Sequence, residues 1–176
     1  MTVQELKKLV KENNIPKFLI FTGDEWRVRQ IYIEQIAKVK HLSKYYAYDV
    51  DSIYKSLNTS PLFGQNYLYI LQDDKEFTTN EKIYSNIADT LKDNMLILVL
   101  TSVDKRLKFV KQYKDSIVEF NALNEAILKQ YIQKEIDLND RNCEILMEIC
   151  NYNYGRILLE IDKINRYVDA GSLERR

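Results

Sequence analysis

The chain has 176 residues, of which 45% are hydrophobic and 30% are charged, a composition typical of a globular protein with an apolar core. The 26 lysines and arginines balance the 26 aspartates and glutamates, so no net charge attracts the protein to nucleic acid or membranes. Any electrostatic recognition must come from a local group of charges. No apolar run approaches the roughly 20 residues of a membrane-spanning helix, and the first residues do not form a signal peptide, so we expect a cytoplasmic protein without a membrane partner.

The first 120 residues alternate between strand and helix patterns. Thr2 begins a capping box for a helix that ends near Asn13, and the apolar run 18–21 is typical of a strand buried on both faces. Gly23 then turns the chain into a second helix, which carries Ile31, Ile36 and Val39 and opens a doubly wound α/β domain. Further strands are predicted at 44–48, at an edge of the sheet, at 67–71, at 95–100, in its centre, and at 117–120. Three further helices are predicted between these strands. Asp51 caps a short one, the next starts at residue 78 and buries Ile83, Ile87 and Leu91, and the last is short and buries Leu107 and Val110.

From Asn121 onward the pattern is helical only. Asn124 is predicted to cap the first of three helices, which should pack as a small bundle. We therefore expect an α/β domain at 1–120, a helical lid at 121–170 and a tail or vector remnant at 171–176. The apolar positions of the three helices are Ile127, Leu128, Tyr131 and Ile132, then Ile145, Leu146, Ile149 and Cys150, then Ile157, Leu158, Ile161, Ile164 and Val168.

The turn after the first strand is where a phosphate-binding enzyme of this class would carry its motif. A P-loop needs Gly-x-x-x-x-Gly-Lys-Ser/Thr, because backbone amides wrap the phosphates while the lysine and hydroxyl serve the terminal phosphates and magnesium. This turn has Gly23 alone, followed by the acids Asp24 and Glu25, which would repel phosphate. A dinucleotide fingerprint is missing as well, so we expect no nucleotide cofactor.

Other candidate catalytic or metal-ligating residues are few. His41, the single histidine, lies in a predicted loop and is the one candidate base for a nucleophilic arrangement. Cys143 and Cys150 lie two helical turns apart, too far for a disulfide, and they fit an apolar helix stripe better than a zinc site. We expect free thiols, no metal and no enzymatic activity.

A phosphoacceptor receiver domain is an alternative, since it also has five strands. It needs acids and a hydroxyl at strand ends to hold magnesium, and these positions are filled by Asp24, Glu25, Asp73 or Asp74, and Thr101 or Ser102. The lysine that ends the fifth strand in such domains is missing, and three further helices have no role there. Acids at strand ends are also ordinary helix caps.

The segment 60–66 holds two large apolar residues on a turn. Pro61 fixes its own φ and Gly64 allows unusual dihedrals, so Leu62 and Phe63 lie on neither a helix face nor a strand face. Such residues either fill the local core or project toward a partner. The local pattern leaves both interpretations open.

Five segments, in order, resemble the delta subunit of the bacterial DNA polymerase III clamp loader across nearly the whole chain; they are 18–25, 60–63, 98–106, 118–123 and 155–164. The resemblance implies an AAA+/RecA-like α/β domain with a degenerate P-loop, followed by a helical lid. It also implies a subunit that binds the sliding clamp (the polymerase III beta subunit) and helps open its ring during DNA replication without binding or hydrolysing ATP. The remaining clamp-loader subunits are the other implied partners. The family has a further C-terminal collar domain, so this chain is either a piece of a longer subunit or a naturally short relative.

The resemblance also implies a site. In the family an adjacent Leu-Phe pair projects into an apolar pocket on the clamp, and this pair corresponds to Leu62 and Phe63, supported by Ser60 and Pro61. The basic helix between Lys105 and Lys114 is predicted to be a solvated face, with a weak contact to the DNA backbone as the alternative.

Overall fold

The structure, a computed structural model, describes residues 1–58, 65–85 and 87–169. The chain divides into two compact units: the first comprises Met1–Gly23 and Arg29–Phe120, and the second comprises Asp24–Val28 and the chain from Asn121 onward. Compact units reflect contacts and not independent folding, so the domain limits predicted above stay a prediction. Within the described residues, no helix is long and apolar enough to cross a membrane.

A parallel five-stranded sheet forms the centre of the first unit. Its strands are β1 (Phe18–Thr22), β2 (Ser43–Ala47), β3 (Tyr67–Gln72), β4 (Met95–Val99) and β5 (Ile117–Glu119), in the order β2-β3-β4-β1-β5. Each neighbouring pair is parallel, and β1 and β4 are buried along their whole length, as strands covered on both faces should be. The predicted α/β class is confirmed, with β4 in the centre and β2 at an edge.

The helices connect these strands in chain order. They are α1 (Val3–Lys11), α2 (Trp26–Val39), α3 (Val50–Asn58), α4 (Lys75–Thr79), α5 (Glu81–Tyr84), α6 (Ile87–Thr90) and α7 (Lys108–Gln112). The predicted capping box of α1 is confirmed, because Glu5 N donates to Thr2 Oγ1 at 3.2 Å and Thr2 N donates to Glu5 Oε2 at 2.6 Å.

Aromatic rings fill much of the core of this unit. Phe18 lies 5.7 Å from Phe77 between ring centroids, and Phe109 lies 5.8 Å from Phe77 and 5.2 Å from Tyr84. These four side chains are at most 3% exposed. The cluster joins β1 to α4, α5 and α7.

Three helix predictions in this unit are wrong in detail. The single helix predicted from residue 78 is two short helices, because α5 ends at Tyr84 and α6 begins at Ile87. Its start is set by Asn80, which is extended (φ −92°, ψ 101°) and whose Oδ1 accepts a hydrogen bond from Lys82 N at 3.2 Å. Asp51 lies inside α3, and Asp49 is its cap, accepting from Ser52 N at 2.7 Å.

The third correction concerns Leu107, which is 38% exposed because it precedes α7 in extended conformation. Val110 is buried as predicted, and Phe109 is buried in place of Leu107.

The second unit contains α8 (Glu125–Glu135), α9 (Asp140–Ile149) and α10 (Tyr154–Asp169). The predicted cap of α8 is confirmed, since Asn124 Oδ1 accepts from Ile127 N at 2.9 Å. Its buried apolar residues include Leu128, Ile132, Cys143, Leu146, Met147, Cys150, Tyr154, Ile157 and Ile161. Both cysteines are free thiols, as predicted.

The predicted inward stripe of α9 is half right, because Leu146 and Cys150 are buried as predicted and the two isoleucines are not. Ile145 and Ile149 are 43% and 70% exposed, while Cys143 and Met147 are buried. The buried positions repeat at three- and four-residue steps from Cys143, which is the helical period with a different starting residue. On α8, Ile127 and Tyr131 are also more than a third exposed, at 38% and 41%.

Candidate functional site

The four residues predicted to bind a partner, Ser60, Pro61, Leu62 and Phe63, lie outside the residues that the structure describes. Their position is framed by the two elements on either side. The segment 59–64 leaves α3 after Asn58 and returns before β3, which begins at Tyr67.

The entry to this segment is a helix held at both ends. Val50 and Ile53 of α3 are each 1% exposed, and Val50 N donates to Asp74 Oδ2 at 3.0 Å. In its last turns, the Ser56 hydroxyl lies 2.9 Å from the Tyr69 hydroxyl of β3. The helix is thus tied both to the core and to the strand that follows the segment.

The exit is equally well anchored. Tyr67 N donates to Asn94 Oδ1 at 2.7 Å, and Ser43 N donates to the carbonyl oxygen of Asn66 at 3.1 Å. The Gln65 side-chain amide donates to the Ser43 hydroxyl. Because β3 pairs with β2 on one side and β4 on the other, the chain re-enters the sheet at a fixed register.

The turn after β1 is shaped by close backbone packing. Gly23 has φ +100°, and a Cβ atom placed there would lie 2.4 Å from the carbonyl oxygen of Phe120. Arg29 Nη1 donates to the carbonyl oxygen of Gly23 at 3.2 Å. Only glycine fits this position, because the chain after β5 leaves no room for a Cβ atom.

Asp73 joins the ends of β3 and β4. Its Oδ1 accepts from Thr101 N at 2.7 Å and its Oδ2 accepts from the Thr101 hydroxyl at 2.6 Å. Burial opposes ionisation, but these hydrogen bonds, with that of Gln72 and the charge of Arg29, hold the pKa of Asp73 below its usual range. Asp73 is thus ionised, and both of its carboxylate oxygens are hydrogen-bonded to Thr101. We call this connection between the ends of β3 and β4 the Asp73 clasp.

The strand order contradicts the receiver interpretation. Receiver domains have the order 2-1-3-4-5, in which the first strand lies beside the third. Here β4 separates β1 from β3, so Asp24 and Glu25, which follow β1, do not lie at the end of a strand beside the one that Asp73 and Asp74 follow. Asp74 caps α4 through Phe77 N at 2.7 Å. No group of three His, Cys, Asp or Glu residues in the described ranges could hold a metal ion.

The remaining chemical candidates are exposed. His41 lies in the turn after α2, with its side chain at the surface. The basic residues between Lys105 and Lys114 are exposed too, and part of their charge is neutralised: Arg106 Nη2 lies 2.8 Å from Asp104 Oδ2 and Lys108 Nζ lies 3.9 Å from Glu81 Oε2. Hydrogen bonds from Arg106 lower the pKa of Asp104 to about 2. The predicted exposure of this face is confirmed, and contact with DNA stays the alternative interpretation.

The sequence did not indicate that Glu25 is buried. Its side chain is 2% exposed, and it belongs to the second unit. Burial raises the pKa of its carboxyl group, and hydrogen bonds from the backbone N–H groups of Tyr154, Arg27 and Gly155 oppose that shift. Oε1 has no hydrogen-bond partner among the residues described.

Gly155 lets the first turns of α2 and α10 approach one another beside this carboxyl group. A Cβ atom on Gly155 would lie 2.8 Å from Cζ2 of Trp26, the residue after Glu25. The sequence contained a partial signal, because a lone glycine at the start of an apolar helix is unfavourable without a packing reason.

Two solved structures show the same fold at low sequence identity. The DNA clamp loader delta protein of Bacillus subtilis is 19% identical, with a TM-score of 0.58, and the match covers 94% of this chain and 57% of that one. A variant of RuvB from Thermotoga maritima is 14% identical, with a TM-score of 0.62, and the match covers 97% of this chain and 61% of that one. This chain thus spans less than two thirds of either protein.

No family model and no curated protein sequence matches the chain. The structural likeness nevertheless extends over nearly all of it. The delta-like, AAA+-type fold that the sequence motifs indicated is therefore confirmed as a fold.

Proposed function

We propose that this chain acts as a clamp-loader delta subunit, or the N-terminal part of one, in DNA replication. It binds the sliding clamp through Leu62 and Phe63 and helps to open the clamp ring, without binding or hydrolysing ATP itself. Other clamp-loader subunits are its further partners. The observation that carries the proposal is the fold likeness to a clamp loader delta protein over 94% of the chain, together with an adjacent Leu62-Phe63 pair in the sequence between α3 and β3.

The framing of the turn supports its role in binding. Residues 59–64 run between a helix fixed to the core and a strand paired on both sides. Ends that are ordered in advance lower the entropy lost when a loop docks on a partner. A few buried aliphatic and aromatic anchors supply most of an interface's binding energy, and truncating one costs about 2 kcal/mol or more.

Ring opening needs no chemistry in this chain. A subunit that binds the open clamp more tightly than the closed clamp shifts the opening equilibrium by the difference in its two binding free energies. The turn after β1 supports independence from ATP, because it has neither the glycines nor the lysine of a P-loop.

Calorimetric titration of the cognate sliding clamp, in the absence of ATP, tests the proposal. We expect the wild type to bind and the Leu62→Ala/Phe63→Ala double variant to bind at least about a hundredfold more weakly, since two anchors are lost. Adding ATP should change neither result.

The matched control is Ile145→Ala/Ile149→Ala, which removes two exposed apolar side chains from α9. This control should bind the clamp as the wild type does. A wild type that does not bind its cognate clamp would refute clamp recognition. Equal weakening by both double variants would refute the assignment to the turn.

A further inference from the structure

A cavity of about 180 Å³ lies at the carboxyl ends of three neighbouring strands of the first unit. Tyr46 and Ala47 are the last two residues of β2, while Gln72 and Val99 end β3 and β4, and all four line the cavity. We call it the strand-end cavity. Ligands of open α/β sheets bind at the carboxyl ends of the strands, so the cavity lies where such a fold carries its binding sites.

The pairing of the strands places the lining side chains on one face of the sheet. Tyr46 is the register partner of Ile70, and Gln72 is the register partner of Val99. Because Ile70 and Gln72 are two residues apart on β3, their side chains project to the same side. The other wall of the cavity is α2.

The buried part of the lining is apolar, and the more exposed part is polar. Ile33 of α2 and Ile70 of β3 are 1% and 5% exposed, whereas Arg29 and Gln30 of α2 are only partly buried and Gln72 is exposed. An apolar surface with a few convergent polar groups is typical of a small-molecule site. An engineered cavity of about 150 Å³ accepts benzene, so a body of that size fits here.

Arg29 supplies a positive charge with free donors. Its Nη1 donates to the carbonyl oxygen of Gly23 at 3.2 Å, which within the described residues is the one hydrogen bond of the guanidinium group. No carboxylate in residues 1–58, 65–85 and 87–169 forms an ion pair with Arg29. A guanidinium group has five N–H donors, so most of them remain available to a ligand.

The charges around Arg29 favour a carboxylate over a phosphate. Asp73 acts on Arg29 electrostatically, but its oxygens accept from Thr101 N at 2.7 Å and from the Thr101 hydroxyl at 2.6 Å. Its negative charge repels a dianion about twice as strongly as a monoanion at the same distance. The planar fork of an arginine matches a carboxylate, which it binds through two parallel hydrogen bonds.

We propose that the strand-end cavity binds a small molecule that carries one carboxylate on a short apolar or aromatic body, and that Arg29 binds the carboxylate. The apolar body lies against Ile33 and Ile70. The amides of Gln30 and Gln72 select for further polar groups on the ligand. This site is separate from clamp binding and gives the α/β unit a ligand of its own.

NMR titration of the full, ¹⁵N-labelled chain tests the site with three probes. Benzoate has the charge and the body, benzamide has the same shape without the charge, and inorganic phosphate has charge without the body. We expect benzoate to shift the backbone amide signals of Tyr46 and Gln72 with a dissociation constant of about 1 mM, and benzamide and phosphate to bind at least about tenfold more weakly. Equal binding of benzoate and either other probe, or no shift at these residues, would overturn the proposal.

Arg29→Gln should weaken benzoate binding at least about tenfold, because the charged donors are lost. The matched control is Arg106→Gln, which removes an exposed arginine that does not line the cavity. This control should bind benzoate as the wild type does. Equal weakening by both variants would show a non-specific charge effect and would refute the role of Arg29.

Gln72→Glu guards against an Arg29 variant that does not fold. Gln72 is exposed, so the exchange preserves the shape of the side chain and requires no repacking of the core. The new carboxylate competes with benzoate for Arg29, and we expect benzoate to bind at least about tenfold more weakly. Unchanged affinity in this variant would overturn the proposal. No clamp is used, so each result is independent of the test of clamp binding.

Discussion

Gly23→Ala tests whether the turn after β1 is fixed by backbone packing. The native φ of +100° is unfavourable for any residue with a Cβ atom, and such strained positions cost about 1–3 kcal/mol. The new Cβ would also lie 2.4 Å from the carbonyl oxygen of Phe120 and 2.8 Å from its nitrogen. Backbone atoms cannot rotate away as a flexible side chain can, so the chain after β5 must move.

That movement affects the hydrogen bond in which Phe120 N donates to the carbonyl oxygen of Thr22 at 2.8 Å. Weakening it costs about 1 kcal/mol. Together with the strain, we expect the free energy of unfolding to fall by about 3 kcal/mol, a large part of the 5–15 kcal/mol typical of a domain.

Urea denaturation followed by circular dichroism measures the change, with Asp24→Ala as the control for an exposed neighbour in the same turn. The midpoint should fall while the slope with denaturant stays unchanged, because the surface exposed on unfolding is the same. A loss below about 1 kcal/mol would show that Phe120 relaxes freely, and the packing explanation would then be refuted.

Three further predictions concern the second unit and the Asp73 clasp. Gly155→Ala should cost about 1–3 kcal/mol by overpacking against Trp26 and should shift tryptophan fluorescence; an unchanged spectrum and stability would contradict the close approach. Because burial raises the pKa of Glu25 above its ordinary 4.5, its stabilising contribution is present below that pH and is lost as pH rises through the folded-state pKa. The stability of wild type relative to Glu25→Gln should therefore fall with rising pH, and a difference independent of pH would argue against the burial. Conversely, the lowered pKa of Asp73 gives a contribution to folding stability that is present above its ordinary 3.8 and is lost as pH falls through the folded-state pKa. The double-mutant cycle of Asp73→Asn and Thr101→Val should give a coupling free energy of about 1 kcal/mol at neutral pH. No coupling would count against the Asp73 clasp.

The strands were predictable because a strand that is buried on both faces is a continuous run of apolar residues. A half-exposed strand would alternate between apolar and polar residues, whereas the runs at 18–21 and 95–100 are apolar throughout and therefore indicate covered, parallel strands. Their order in the sheet was not predictable in the same way. The receiver and AAA+ interpretations share five strands in the same order along the chain, and the pairing of β1 with β4 and β5 shows that the sheet is not that of a receiver domain.

Helical period did not fix helix continuity. Ile83, Ile87 and Leu91 repeat at the helical period and are all at least partly buried, yet α5 ends at Tyr84 and a separate helix begins at Ile87. In α9 the apolar residues cover more than one face, so periodicity alone could not select Cys143 and Met147 over the two exposed isoleucines.

The sequence by itself determined the α/β class and the missing phosphate loop, because each depends on residues within a few positions of one another. Only the tertiary structure decided the strand order, the need for glycine at Gly23 and the burial of Glu25. The partners in these cases, such as Phe120 and Tyr154, lie about 100 residues or more along the chain. A local pattern cannot reveal whether a polar side chain is buried, since that depends on distant backbone donors that only folding brings to it.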